Sequence, residues 1–130
     1  MNIEVRQEQP NDMQSIHDVT VAAFLNAPHS DHTEQFIVRE LRKAKALSVS
    51  LVAEENGKMV GHVAVSPVAI SDNSENWYGL GPISVLPGYQ RKGVGTKLMQ
   101  AAIEALRTTG ASGCVLLGDP NFYHRFSFPP

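Results

Sequence analysis

A chain of 130 residues, 42% hydrophobic and 18% charged, carries enough apolar surface for one folded core and too little length for two. Its formal net charge of −2 lacks the basic excess of a dedicated nucleic-acid binder, yet a local cationic patch can still hold a small anion on such a protein. The single cysteine, Cys114, excludes an internal disulfide framework and a Cys-based zinc cluster, and within the apolar run 113–117 it reads as a buried structural thiol. The N-terminus shows no apolar signal core and no stretch is long enough to span a bilayer. The expectation is one domain over residues 1–130 in the reducing cytoplasm, with no membrane partner.

Ile3 and Val5 alternate with Glu4 and Arg6, which predicts a half-buried strand. Pro10-Asn11-Asp12 breaks it, and Asn11 or Asp12 can cap a helix bearing Met13, Ile16, Val19, Ala23 and Phe24 at helical spacing. After a polar loop over 26–32, Thr33 opens a second helix with Phe36, Ile37, Glu40 and Leu41. Its basic Arg42, Lys43 and Lys45 lie near the negative end of the helix dipole.

The period then changes to two. Ser48 to Glu54 reads as a strand, Asn56-Gly57 as a tight hairpin turn, and Met59 to Ile70 as the returning strand, with Pro67 at a bulge or edge. A polar turn over 71–76 leads into a strand from Trp77 to Val85, completing an antiparallel meander. Val94, Leu98, Ala101, Ala102, Ala105 and Leu106 form the apolar stripe of a third helix that Gly110 stops. Ser112 to Leu117 reads as a strand reached by a right-handed parallel crossover. Asp119 to Phe126 reads as a short helix with Pro120 in its first turn.

The chemistry concentrates in Gln90-Arg91-Lys92-Gly93-Val94-Gly95-Thr96, between a strand and a helix. Two glycines let the backbone approach a ligand, the first amides of the helix point outward, and Arg91 and Lys92 add positive charge. A pyrophosphate suits such a trap. A Walker A loop would need lysine directly after Gly93, where Val94 stands, and the dinucleotide fingerprint would need glycine or alanine at Leu98.

The pattern Gln90-x-x-Gly93-x-Gly95, preceded by Ile83-Ser84-Val85-Leu86-Pro87, resembles the acetyl-CoA-binding motif of the GNAT acyltransferases, and the element order resembles that family along nearly the whole chain. The resemblance implies an α/β (α+β) fold: a mixed, mostly antiparallel sheet flanked by helices. It implies that the backbone amides of Gln90, Arg91, Lys92, Gly93, Val94, Gly95 and Thr96 hold the pyrophosphate of the coenzyme. Main-chain groups of Ile83, Ser84 and Val85 would bind the pantetheine amides, Ile83 and Val85 foremost. The strand carrying them would splay from the one holding Cys114, near Gly81-Pro82.

Tyr123 matches the tyrosine that many members place beside the coenzyme sulfur. A phenol with an unperturbed pKa of about 10 stays protonated at neutral pH and can give its proton to a departing thiolate. The strand before the loop holds no acid, so no general base is assigned; Glu34, Glu40 and His62 could face the substrate side, but each reads better as an ordinary surface or satisfied polar residue. His29 and His32, in a polar loop with Asp31 between them, are too few for a metal site.

Two departures from the family pattern stand out. Ser127 occupies a place that usually holds glycine, and the chain runs only to Pro130, so the usual closing strand pair is expected to be lacking and a sheet edge left bare. The implied activity is transfer of an acetyl group from acetyl-CoA to a primary amine of a small molecule or protein, with a homodimer left open. The alternatives are a non-catalytic acyl-CoA-binding regulatory module of the same fold and a nucleotide-phosphate binder.

Overall fold

The computed structural model describes residues 2–26, 32–69, 75–116 and 125–127. Its elements run β1 (Ile3–Gln7), α1 (Met13–Phe24), α2 (Glu34–Lys43), β2 (Val49–Glu55), β3 (Lys58–Pro67), β4 (Trp77–Val85), α3 (Val94–Thr108), β5 (Gly113–Leu116) and β6 (Arg125–Ser127). The strands form one sheet in chain order, antiparallel throughout except for the parallel β4–β5 pair that α3 connects. This is the mixed, mostly antiparallel α/β sheet expected. None of the described helices is long and apolar enough to cross a membrane.

Strand alternation sorts the core into two layers. Leu51 and Ala53 of β2, with Val63 and Val65 of β3, face α3 and pack with Leu80, Leu98, Leu106 and Cys114. The intervening Val52 and Ala64 face the opposite way, onto Ile16 of α1 and Val38 of α2. Because β3 is covered on both sides, its burial is nearly continuous from Val60 to Ser66. Asn56 and Gly57 both take positive φ, 52° and 83°, the geometry of a type I′ hairpin turn.

Several expectations are corrected in detail. Asp12 stands at the start of α1, but its carboxylate accepts the Gln9 N–H at 2.6 Å and pairs with Arg6 at 2.7 Å. It therefore braces the turn before the helix. In α2 the buried side chain is Val38, while Phe36 and Ile37 are 45% and 44% exposed. Pro67 simply ends β3; the irregularities of that strand's ladders lie at Ala53/Glu54 on one side and Val63/Val65 on the other.

The C-terminal expectation also changes. Residues 119–124 of the expected short helix lie outside the described residues, but Arg125 and Phe126 are strand, not helix. They belong to β6, which pairs antiparallel with β5 and covers the edge expected to be bare. An unpaired edge is a template for any segment able to extend, and the aromatic residues around Ser127 favour extension.

Gly61 of β3 shows how closely α3 is seated. A Cβ there would lie 3.0 Å from Leu98 Cδ1, 3.0 Å from the Ser84 carbonyl oxygen and 3.2 Å from Val94 Cγ1. Gly61→Ala should therefore cost about 1–3 kcal/mol of stability through overpacking against backbone, measurable by urea denaturation. An unchanged midpoint would contradict this packing.

Candidate active site

The site begins past the last β4–β5 pair among the described residues. The parallel ladder runs from Trp77↔Gly113 to Leu80↔Leu116, and the next residues of β4 pair only with β3 among the described strands. The β3–β4 register shifts at Gly81-Pro82, between the Val65↔Leu80 and Val63↔Ile83 pairs. A residue without a backbone donor is tolerated at such a bulge.

Alternation then decides which main-chain groups face outward. The Leu86 N–H bonds the Val60 carbonyl at 2.9 Å, so Leu86 and Ser84 turn toward β3. Ile83 and Val85 consequently present their amides and carbonyls to the side away from β3. The Gln90 side chain occupies one of these, donating Nε2–H to the Val85 carbonyl at 2.9 Å, and also lies 3.5 Å from the Ala23 carbonyl. Ser84 corrects the sequence reading, since its main chain is committed to β3 and its side chain is fully buried. Among the described residues no strand pairs with this edge beyond Leu80, and its alternating donors and acceptors fit an amide-bearing arm.

At the end of β4, Pro87–Tyr89 forms a short 3₁₀ turn, and the chain enters α3 through two left-handed residues, Arg91 at φ 62° and Gly93 at φ 86°. The first ladder bond of α3 runs from the Lys97 N–H to the Gly93 carbonyl at 3.1 Å. The amides of Gly93 to Thr96 therefore have no acceptor within the helix and carry the positive end of its dipole. Among the described residues, a Cβ at Gly93 would meet no atom within 4 Å beyond its local backbone, so the space beside Gly93 is open. Arg91 and Lys92 are exposed beside it. Open space, uncommitted amides and flanking cations fit a pyrophosphate.

Tyr89 is a brace that the sequence reading missed. Its hydroxyl donates to Glu55 Oε1 at 3.0 Å, and the Lys58 ammonium lies 5.6 Å from its ring centroid. The hydrogen bond to Glu55 raises the Tyr89 pKa. This links the β2–β3 hairpin to the loop, across 34 residues of sequence.

A second polar cluster lies on the α1 and α2 side of the sheet. Arg42 of α2 grips the Glu8 carboxylate with both terminal nitrogens, Ser50 Oγ–H donates to the same carboxylate, and His62 Nε2 lies 2.8 Å from Ser50 Oγ. Burial pushes the Glu8 carboxyl up, but hydrogen bonds from Arg42 and Ser50 outweigh it and leave its pKa below the ordinary value. His62 is fully buried, and desolvation pushes its pKa down to about 4, with Arg42 lowering it further and Glu8 opposing.

His62 is thus neutral in the native protein at pH values where the unfolded chain, at about 6.5, already binds a proton. Stability falls as pH drops from about 6.5 to about 4, by about 3 kcal/mol over that window, and the His62 contribution levels off below it. Glu8 adds a separate loss at lower pH as its carboxylate is protonated. Urea titrations from pH 7 to 4 should show a much flatter profile for His62→Phe than for the native chain; parallel profiles would contradict this.

The structure brings together Ile83, Val85, Gln90, Arg91, Lys92, Gly93, Val94, Gly95 and Thr96 at one end of the sheet, although Val94 turns its side chain into the core. Tyr123 and His29 lie outside the described residues. Glu40 is exposed, 3.9 Å from Lys43, and among the described residues no group of His, Cys, Asp and Glu is placed to hold a metal ion. Cys114 is fully buried with its thiol pKa raised by desolvation, which fits the structural thiol expected.

Residues 13–128 match the family model of the acetyltransferase (GNAT) family. The chain is 32% identical over 125 residues to the uncharacterized N-acetyltransferase YhbS of Escherichia coli K12, covering 95% of this chain and 72% of that protein. Its fold is similar to a GNAT family acetyltransferase from Brucella melitensis in complex with acetyl-CoA, at TM-score 0.91 and 45% identity over 99% of this chain and 90% of that one. It is also similar to E. coli YhbS in complex with CoA, at TM-score 0.81 and 28% identity over 94% of this chain and 66% of that one. The chain belongs to the GNAT family of acetyltransferases.

Proposed function

We propose that this protein transfers the acetyl group of acetyl-CoA to a primary amine of a small molecule or protein. The observation that carries the reading is the continuity, among the described residues, of the edge of β4 at Ile83 and Val85 that β3 leaves free with the amides at the mouth of α3 that lack a helical acceptor. Together they suit an amide-bearing arm ending in a diphosphate. The acetyl-CoA and CoA held by the two similar structures support the same assignment.

The thioester supplies an activated acyl carbon. This chain's residues hold and orient it: Gly93 to Thr96 bind the diphosphate, and Ile83 and Val85 align the arm. A neutral amine attacks the carbonyl carbon, the C–N bond forms, and the C–S bond breaks. The amine's surplus proton leaves to water, the departing sulfur takes a proton from the Tyr123 phenol, and the phenolate regains one from water. Trp77 to Val85 contains no acidic residue to act as a base, and an amine partly deprotonated near neutrality needs no strong one. A cytoplasmic location suits the chain's single, buried thiol.

Incubation with acetyl-CoA and a panel of primary amines should release free thiol for at least one of them. A thermal shift with acetyl-CoA but no thiol from any amine would favour the regulatory-module reading, and stronger stabilisation by ATP than by CoA would favour a nucleotide binder.

A further inference from the structure

The buried cluster around His62 has no part in acyl transfer as described above, yet it reaches the coenzyme strand. A carboxylate only accepts hydrogen bonds, so the Ser50 hydroxyl proton is committed to Glu8 and the Ser50 oxygen must accept from His62 Nε2–H. This sets the ring tautomer. Among the described residues Nδ1 is left with a bare lone pair and no partner, on a side chain with 0% exposure. A buried acceptor left unpaired is costly, and native proteins commonly satisfy such atoms with ordered water.

The polar groups such a water needs are adjacent. His62 stands directly opposite Ser84 of β4, and directly opposed side chains in an antiparallel pair start about 4.5–5.5 Å apart at Cβ. The Ser84 hydroxyl makes only a long contact, 3.5 Å to Thr20 Oγ1, while Thr20 itself donates to the Ile16 carbonyl at 2.7 Å. Nδ1, Ser84 Oγ and Thr20 Oγ1 together offer the two to four partners that a buried water requires. The location also matters. The β3–β4 ladder is irregular immediately beyond Ile83, and among the described strands only β3 holds the 81–85 half of β4.

We propose that His62 is a positioning residue for acyl transfer: its Nδ1 accepts a hydrogen bond from one buried water that also holds Ser84 Oγ, and this bridge fixes the half of β4 that receives the coenzyme. The inference rests on reading Ile83 and Val85 as the coenzyme-binding edge. Arg42, Glu8 and Ser50 act through it by keeping the lone pair on Nδ1.

Nitrogen-15 NMR of the imidazole groups in the full chain, paired with calorimetry using CoA, tests this. At neutral pH His62 should carry its proton on Nε2, with the Nδ1 resonance displaced as for a hydrogen-bond acceptor. Ser84→Ala should move that resonance, leave Nε2 protonated, and weaken CoA binding about five-fold, the size of one neutral hydrogen bond. Thr20→Val, a change on α1 that leaves the sequence of both strands intact, should move Nδ1 in the same sense and serves if Ser84→Ala misfolds. A merely structural role would lower the melting temperature and leave the CoA affinity of the folded protein unchanged. A proton on Nδ1, or an Nδ1 resonance and CoA affinity indifferent to both substitutions, would overturn the proposal alone. Failure of the native chain to bind CoA would overturn it together with the reading beneath it.

Discussion

Replacing Tyr123 with phenylalanine should lower kcat about a hundred-fold, equivalent to about 2.7 kcal/mol of transition-state stabilisation, while CoA affinity stays within about two-fold. The argument is chemical. Loss of a thiolate from a tetrahedral adduct is easier when a proton arrives at sulfur as the C–S bond lengthens. A phenol remains protonated at neutral pH and so has one to give. Phenylalanine keeps the ring's packing and removes only the donor, so an effect confined to kcat identifies acid catalysis. Steady-state rates of thiol release and calorimetric CoA affinity, measured on the same preparation, separate the two quantities. An unchanged kcat removes Tyr123 from the acid role.

Gly93→Val should reduce CoA affinity by about a hundred-fold and destabilise the free protein as well. The two effects have different origins. Gly93 takes φ 86°, where an L residue costs about 1–2 kcal/mol and a β-branched one more, and this strain appears in the melting temperature without ligand. The affinity loss comes from the side chain itself, which would enter the space beside Gly93 that, among the described residues, holds no atom within 4 Å of the added Cβ beyond the local backbone. Gly93→Ala should share most of the strain and a smaller part of the affinity loss. A valine variant that melts lower yet binds CoA as tightly as the native chain would contradict the loop assignment.

The parts of this molecule that were legible in the sequence are those set by local chemistry. Asn56-Gly57 announces a hairpin because both residues tolerate positive φ. The β4 limits, Trp77 and Val85, follow from a turn-rich segment before them and Leu86-Pro87 after them. The stripe of α3 and its stop at Gly110, at φ 81°, are likewise periodicity and backbone freedom. The loop that enters α3 is readable for the same reason, since its two glycines and following helix are contiguous.

What escaped is set by partners distant in sequence. Glu8, Ser50 and His62 look like unrelated polar residues until a fold brings Arg42 to Glu8 across 34 positions and Ser50 to Glu8 across 42. The same holds for Tyr89 and Glu55. Val38 rather than Phe36 turns inward because the rotation of α2 is decided by its packing on Ile16, Val52 and Ala64, and helical spacing alone leaves that rotation open. Arg125 and Phe126 read as the end of a helix beginning near Pro120, yet pairing along β5 draws them into a strand. Ser84 carries the motif's spacing, but ladder alternation turns it from the edge its neighbours serve.

The most direct measurement for the account as a whole is a backbone amide NMR titration of the full chain with CoA. The amide resonances of Gly93, Val94, Gly95 and Thr96 should show the largest displacements, with Ile83 and Val85 moving along the same binding curve. Saturable CoA binding that leaves those loop amides unmoved would contradict the claim that uncommitted donors at the start of α3 hold the coenzyme's diphosphate.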